Sequence, residues 1–193
     1  NRPQSAVGLI AAALRIRRDA GAGPFTVLSC DNLPHNGQVV RALVLDMAAR
    51  LEPSLAEWIA AHVSFPSTMV DRITPVTRPE TFAYVAETLG VEDKAATEAE
   101  PFIQWVIQDD FCAGRPHWEA GGALFVEDVA PFEMMKLRML NGAHSTMAYL
   151  GYLGGYEYIS EVMGDSAYVK LIHGLMTEEA MPTLDMLAVD LGA

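Results

Sequence analysis

Cysteine is nearly absent: Cys30 and Cys112 are the only two in 193 residues, and they do not form a CxxC pair. That excludes a disulfide framework and leaves a reduced, cytoplasmic protein with two free thiols as the expectation. Both thiols are read as small buried hydrophobes. No apolar run approaches the ~18 uninterrupted residues of a membrane helix, so no membrane partner is expected. Basic residues are also scarce. Lys and Arg total 13 against 25 Asp and Glu, a net charge of −12, whereas a nucleic-acid partner calls for a basic face. A G-x-G-x-x-G fingerprint between strand and helix is missing too. The chain opens at Asn1 without a Met or a signal peptide and stops at Asp190-Leu-Gly-Ala directly after an apolar stretch. It therefore reads as the middle of something longer.

What is present is an ordinary globular composition, 51% hydrophobic and 20% charged, in a length that fits one to two domains. Pro3 to Ala20 reads as an amphipathic helix with Arg15, Arg17 and Arg18 crowding its last turn, where cations suit the dipole. Pro24 to Cys30 reads as a short buried strand. The polar loop Asp31 to Gly37 follows, then a helix from about Gln38 to Leu51. Strand, polar loop and helix in that order are the layout of an α/β sheet, whose ligands sit beyond the carboxyl ends of strands. Turn and N-cap chemistry is the plainer reading of Asp31 and Asn32. Ser54 to Val63 reads as a helix with Ser54 and Glu57 as a capping box. Strands are expected around Met69-Val70, within Pro101–Phe111 and at Ala123–Val126, with a helix at Glu80–Leu89 and a solvated loop at Val91–Glu100. Asp71 and Arg72 read most simply as an ion pair. From about residue 128 everything is helical, including Glu157–Met163, Ser166–Met176 and Glu178–Val189.

The stretch Pro131 to Gly155 organises the rest. It reads as one long helix of Met and Leu packing residues that also carries Lys136, Asn141 and His144. At 100° per residue Asn141 lies about 140° round from Lys136, with His144 between them, so all three heads reach one side of the helix. Partnered surface or core residues are the plainer reading. Gly142, Gly151, Gly154 and Gly155 each cost about 1 kcal/mol against Ala in a helix, so something else must require them. Close approach of another element or of a flat ligand would do so.

Three segments together carry a resemblance. VSFPSTMVDRITP (63–75), VLSCDNLPHNG (27–37) with its SCDN-x-x-x-NG pattern, and KLRMLNGAH (136–144) with its K-x-x-x-x-N-x-x-H pattern are similar to the long-chain polyol dehydrogenases. That family includes mannitol 2-dehydrogenase and D-fructuronate reductase (mannonate oxidoreductase). The resemblance implies α/β plus all-α architecture: the C-terminal part of a Rossmann-like NAD(P) domain over residues 1–127, then the start of a helical substrate domain over 128–193. It implies a metal-independent oxidoreductase that uses NAD, with NADP left open, on a sugar alcohol or ketose, as a monomer or weak oligomer. The main glycine-rich loop would lie upstream of this chain.

By the same resemblance Lys136 is the catalytic base, Asn32 and Asn141 stabilise the alkoxide, and His144 orients substrate. Asp71 lines the pocket, and Asn32 and Asp71 also touch cofactor. A lysine acts as base when desolvation or nearby positive charge brings its pKa toward neutrality, and two amide donors suit a developing alkoxide. Glu133, one turn before Lys136, is either a proton relay or an i,i+3 ion-pair partner. D-Mannitol/D-fructose is the expected substrate pair, with D-mannonate/D-fructuronate as the alternative. Two other readings compete. A 6-phosphogluconate-like dehydrogenase also pairs a Rossmann domain with a helical one, but the SCDN and VDRITP segments favour the polyol family. A non-catalytic helical module would expose its Met134–Met147 face to a partner, whereas the enzyme buries it.

Overall fold

A computed structural model describes residues 3–184. The chain divides into two compact units: the first takes residues up to Asn32 and Asn36–Phe125, the second Leu33–His35 and the chain from Val126 onward.

The first unit is built on three helices, α1 (Ala6–Asp19), α2 (Asn36–Leu51) and α3 (Pro53–His62). Ser5 starts α1, its hydroxyl accepting the Gly8 N–H at 3.1 Å, which satisfies one of the orphan donors of a helix start. At the other end Arg17 donates to the Ala22 and Gly23 carbonyls at 2.8 and 2.9 Å, and Arg18 binds Asp19 and Glu52. Two of the crowded cations, Arg17 and Arg18, are thus committed to particular carbonyls and carboxylates. Leu14, Val44, Ala48, Leu55 and Ile59 form the core between the helices, with Val27, Val63 and Phe65. Burial of such side chains stabilises by about 1.5–3 kcal/mol each.

Two local expectations fail here. Helix α3 begins one residue early, at Pro53, because proline suits the first helical turn. Ser54 is therefore inside the helix and donates to Glu52 Oε1 at 2.5 Å instead of capping. Residues 24–30 are not a strand. They are extended, and Val27 N–H donates to Ser64 C=O at 3.0 Å, but the repeated pairing that defines a ladder is missing.

The sheet has three strands in the order β1 (Thr68–Asp71), β2 (Gln104–Gln108), β3 (Ala123–Val126). Strands β1 and β2 run antiparallel, pairing Thr68 with Ile107 and Asp71 with Gln104. Between them α4 (Pro79–Leu89) ends on Gly90 in the left-handed region. Residues 91–100 are more than a solvated connection. Glu98 binds Arg78 and the Thr81 hydroxyl, and Glu100 takes the Ile73 N–H while its carbonyl takes Arg72 Nε. The Trp105, Phe111, Trp118 and Phe125 rings cluster beside β2. Arg115 lies 3.4 Å over the Phe125 ring while paired with Asp109 and Glu119, a cation–π arrangement held in place by its carboxylates. Cys112 is half-buried near the Thr26 hydroxyl. Cys30 is exposed, contrary to its reading as a buried hydrophobe.

The second unit is helical. Helix α5 (Ala130–Met135) runs into a π turn over Lys136–Asn141 and then α6 (Gly142–Leu153). Short helix α7 (Ile159–Val162) and α8 (Ser166–Gly174) follow, the latter passing into a second π turn, Leu175–Ala180, and a 3₁₀ turn at Met181–Thr183. The two π turns pack on each other, and Arg138 donates to the Thr183 carbonyl and hydroxyl at 2.7 Å. The helix expected over Glu178–Val189 is thus replaced by tighter and wider turns as far as Thr183, and its end lies outside the described residues.

Helix α6 explains two of the costly glycines. A Cβ on Gly151 would run into Val162 Cγ2 of α7, and one on Gly154 into the Tyr168 hydroxyl of α8. At these two positions a side chain from a neighbouring helix, and not a flat ligand, takes the space. The Met and Leu side chains are less covered than a packing helix requires. Met135, Met139 and Met147 are half-buried, while Met134, Leu137, Leu140 and Leu153 are exposed. No described helix is long and apolar enough to cross a membrane.

Candidate active site

Within the second unit, Glu133, Lys136, Asn141 and His144 lie along one continuous helix. Glu133, Lys136 and Asn141 are half-buried and His144 is exposed. The step between Lys136 and Asn141 is not α-helical. Gly142 N–H donates to the carbonyl of Leu137, five residues back, the ladder spacing of a π turn. Residues five apart then lie closer together round the axis than they do in an α-helix. Asn141 is therefore brought close to the Lys136 side of the helix, where plain α geometry would carry it about 140° round. Single π turns recur at functional sites because they re-aim side chains in this way.

Glu133 has a definite partner. Its carboxylate oxygens receive the His35 main-chain N–H at 3.1 and 3.3 Å, with His35 Nδ1 at 3.7 Å. His35 holds φ at +52°, a region that side chains other than glycine enter at a cost. An acceptor aimed at its N–H offsets part of that cost.

In the first unit, Asn32 is exposed at the end of the extended 24–31 segment, and Asp71 is 8% exposed as the last residue of β1. The residue that ties this region together is one the sequence reading passed over. Asn36 is 2% exposed. Its Nδ2 donates to the Asp31 and Thr68 carbonyls, each at 2.9 Å, and its Oδ1 accepts the Thr68 N–H at 2.9 Å. The Thr68 hydroxyl in turn donates to the Ser29 carbonyl at 2.7 Å. Next to it, Gly37 lies so close to the 65–66 main chain that a Cβ would fall 2.7 Å from the Pro66 carbonyl carbon and closer still to Phe65 O. The NG pair of SCDN-x-x-x-NG is thus structural: an amide sewn to β1, then a position that only glycine fits. The motif itself was the available signal.

Residues 1–120 match the mannitol dehydrogenase Rossmann domain, and residues 128–192 match the mannitol dehydrogenase C-terminal domain. The chain belongs to the mannitol dehydrogenase family. It is 55% identical over 184 residues to D-mannonate oxidoreductase of Escherichia coli K12, covering 95% of this chain and 38% of that protein. Among solved structures it is similar to Pseudomonas fluorescens mannitol 2-dehydrogenase in a ternary complex with NAD and D-mannitol, at TM-score 0.78 and 46% identity, covering 94% of this chain and 37% of that one. It is also similar to a substrate-free D-sorbitol dehydrogenase, at TM-score 0.87 and 41% identity, covering 94% and 38%. This mannitol dehydrogenase family chain therefore spans little more than a third of the length of those relatives. Its architecture is the C-terminal part of a Rossmann-type domain followed by helices of the C-terminal domain.

Proposed function

We propose that the complete protein transfers hydride between NAD and the secondary alcohol of an open-chain polyol, interconverting D-mannitol and D-fructose without a metal. The observation that carries the reading is the π turn, which gathers a lysine and an asparagine on one side of a helix in a family named for this reaction.

Bound NAD supplies the hydride acceptor. The residue types of this chain suit such a group: Asn32, an exposed residue, carries an amide, and Asp71, a buried one, a carboxylate, the kind of acceptor that hydroxyl groups donate to. Lys136 Nζ takes the proton of the reacting hydroxyl as hydride leaves its carbon. The amides of Asn141 and Asn32 donate to the oxygen as negative charge builds there. His144 hydrogen-bonds a neighbouring hydroxyl and fixes the orientation of the substrate chain. Glu133, one turn before Lys136, passes the proton on toward solvent. Binding of a small molecule, not of nucleic acid or membrane, follows from the same chemistry.

The 55% identity to a D-mannonate oxidoreductase favours a second reading, in which D-mannonate and D-fructuronate are the pair and the substrate carries a carboxylate. Oxidation of NADH by the complete protein, with D-fructose and D-fructuronate offered side by side, separates the two. Turnover of D-fructose alone is the expected result; turnover of D-fructuronate alone establishes the second reading. Turnover of neither overturns both.

A further inference from the structure

We infer that Asn36 is a positioning residue that aims the Asn32 amide, acting through the main chain of Asp31 and Thr68. This rests on the reading of Asn32 as an alkoxide donor and adds a residue that reading does not contain.

A side-chain amide has two hydrogens to give and an oxygen to receive with. Those of Asn36 are spent on three main-chain groups: the Asp31 carbonyl, the Thr68 carbonyl and the Thr68 N–H, all at 2.9 Å. A longer contact of 3.3 Å reaches the Thr68 hydroxyl. Taking both the N–H and the C=O of one residue is what a neighbouring strand does, so Asn36 behaves as a one-residue extension of the sheet at the head of β1. The second hydrogen of the amide goes to Asp31 O.

The Asp31 carbonyl belongs to the peptide group whose nitrogen is Asn32 N. A peptide group is planar, so holding Asp31 O sets the plane of that group and with it the Asn32 Cα. The Thr68 hydroxyl holds the Ser29 carbonyl two residues before Asp31. Asn32 itself is exposed, and the main chain that carries it is held by this buried anchor. A displacement of about 1 Å of a reacting group costs up to about 100-fold in rate, so a residue that never meets substrate can carry a catalytic effect. Plain structural glue is the competing account, and it predicts loss of stability without any special link to Asn32.

The test is a double-variant cycle in the complete protein. Asn36→Asp keeps the size of the side chain and the acceptor for Thr68 N–H while removing both donors. It is expected to lower kcat about 10–100-fold. In an Asn32→Ala background the same change is expected to cost less than about twofold, because the group it aims is gone. Equal losses in both backgrounds overturn the inference and leave the role of Asn32 standing. Wild-type kcat for Asn32→Ala alone overturns the reading of Asn32, and the inference falls with it. Crystal structures give a readout that needs no turnover: the Asp31–Asn32 peptide is expected to rotate in Asn36→Asp, and an unmoved peptide overturns the inference. If Asn36→Asp does not fold, Thr68→Val, which puts a methyl in place of the hydroxyl that holds the Ser29 carbonyl, is carried through the same cycle and judged by the same outcomes.

Discussion

Both carboxylate oxygens of Glu133 face the main-chain N–H of His35, at 3.1 and 3.3 Å. The carboxylate proposed to move protons from Lys136 therefore also holds a residue in the left-handed region of backbone space. The two functions separate chemically. A glutamine keeps an oxygen to accept the N–H but cannot shuttle a proton at neutral pH. Glu133→Gln in the complete protein is expected to melt within a degree or two of wild type and to turn over about tenfold more slowly, whereas Glu133→Ala loses both stability and rate. Wild-type turnover in Glu133→Gln would show that the carboxylate only anchors His35.

Lys136→Ala should reduce kcat by roughly 10²–10⁴-fold, the usual contribution of a positioned base. The circular dichroism spectrum and melting temperature are expected to stay close to wild type, since Lys136 is only half-buried. Near-normal turnover at neutral pH would remove Lys136 from the mechanism. His144→Ala is expected to raise the KM for the sugar at least tenfold while NADH affinity holds; the reverse pattern would refute its orienting role.

Two glycines of one helix should respond in opposite directions to alanine. A Cβ on Gly142 would meet only Leu137 O, at an ordinary 3.6 Å, while one on Gly151 would overlap a methyl of Val162. Val162 is 2% exposed and has nowhere to go. Gly142→Ala is expected to stabilise by up to about 1 kcal/mol through helix propensity, and Gly151→Ala to destabilise by about 1–3 kcal/mol through overpacking. Denaturant melts of the two variants provide the check. A neutral Gly151→Ala would mean that α7 is free to move away from α6.

Asp165 gives a pH dependence with a definite sign. The Tyr156 hydroxyl donates to it at 2.7 Å and the Ala167 N–H at 2.8 Å. Together they hold its carboxyl below the ordinary range, with the tyrosine contributing more. Its contribution to the start of α8 is thus complete above the unfolded-state value of about 3.9 and is lost as pH falls through the lower folded value. Hydrogen-exchange protection of the Ala167 amide, followed downward from pH 5, should drop below about pH 4. Asp165→Asn should flatten that drop, and an unchanged profile in the variant would assign it to another group.

Helices were the most legible part of the fold because their signals are local. Pro79 at the start and Gly90 at the end frame α4, and Ser5 caps α1. Where two local signals compete the reading slips by a residue, as when Pro53 displaced Ser54 from the cap of α3. The 24–30 segment failed for a different reason. Its composition is that of a strand, but a strand exists only through its partners, and composition does not name them. The residues proposed for the site were visible as a spaced set on one helix, yet their spacing depends on a π ladder that a 100° count does not anticipate. Asn36 went unnoticed because its importance lies in which main-chain groups it meets, Asp31 and Thr68, and the second of these is 32 residues away.

A π turn is an α-helix carrying one residue more than its ladder needs. Removing a single residue between Lys136 and Asn141 would close the ladder into plain α-helix and leave the two side chains four positions apart, about 40° round the axis. Helices before and after the turn would keep their faces. The segment can therefore gain or lose one residue over evolutionary time with the two proposed site side chains still on one side of the helix, and an alignment that scores such a gap as damage would misjudge it.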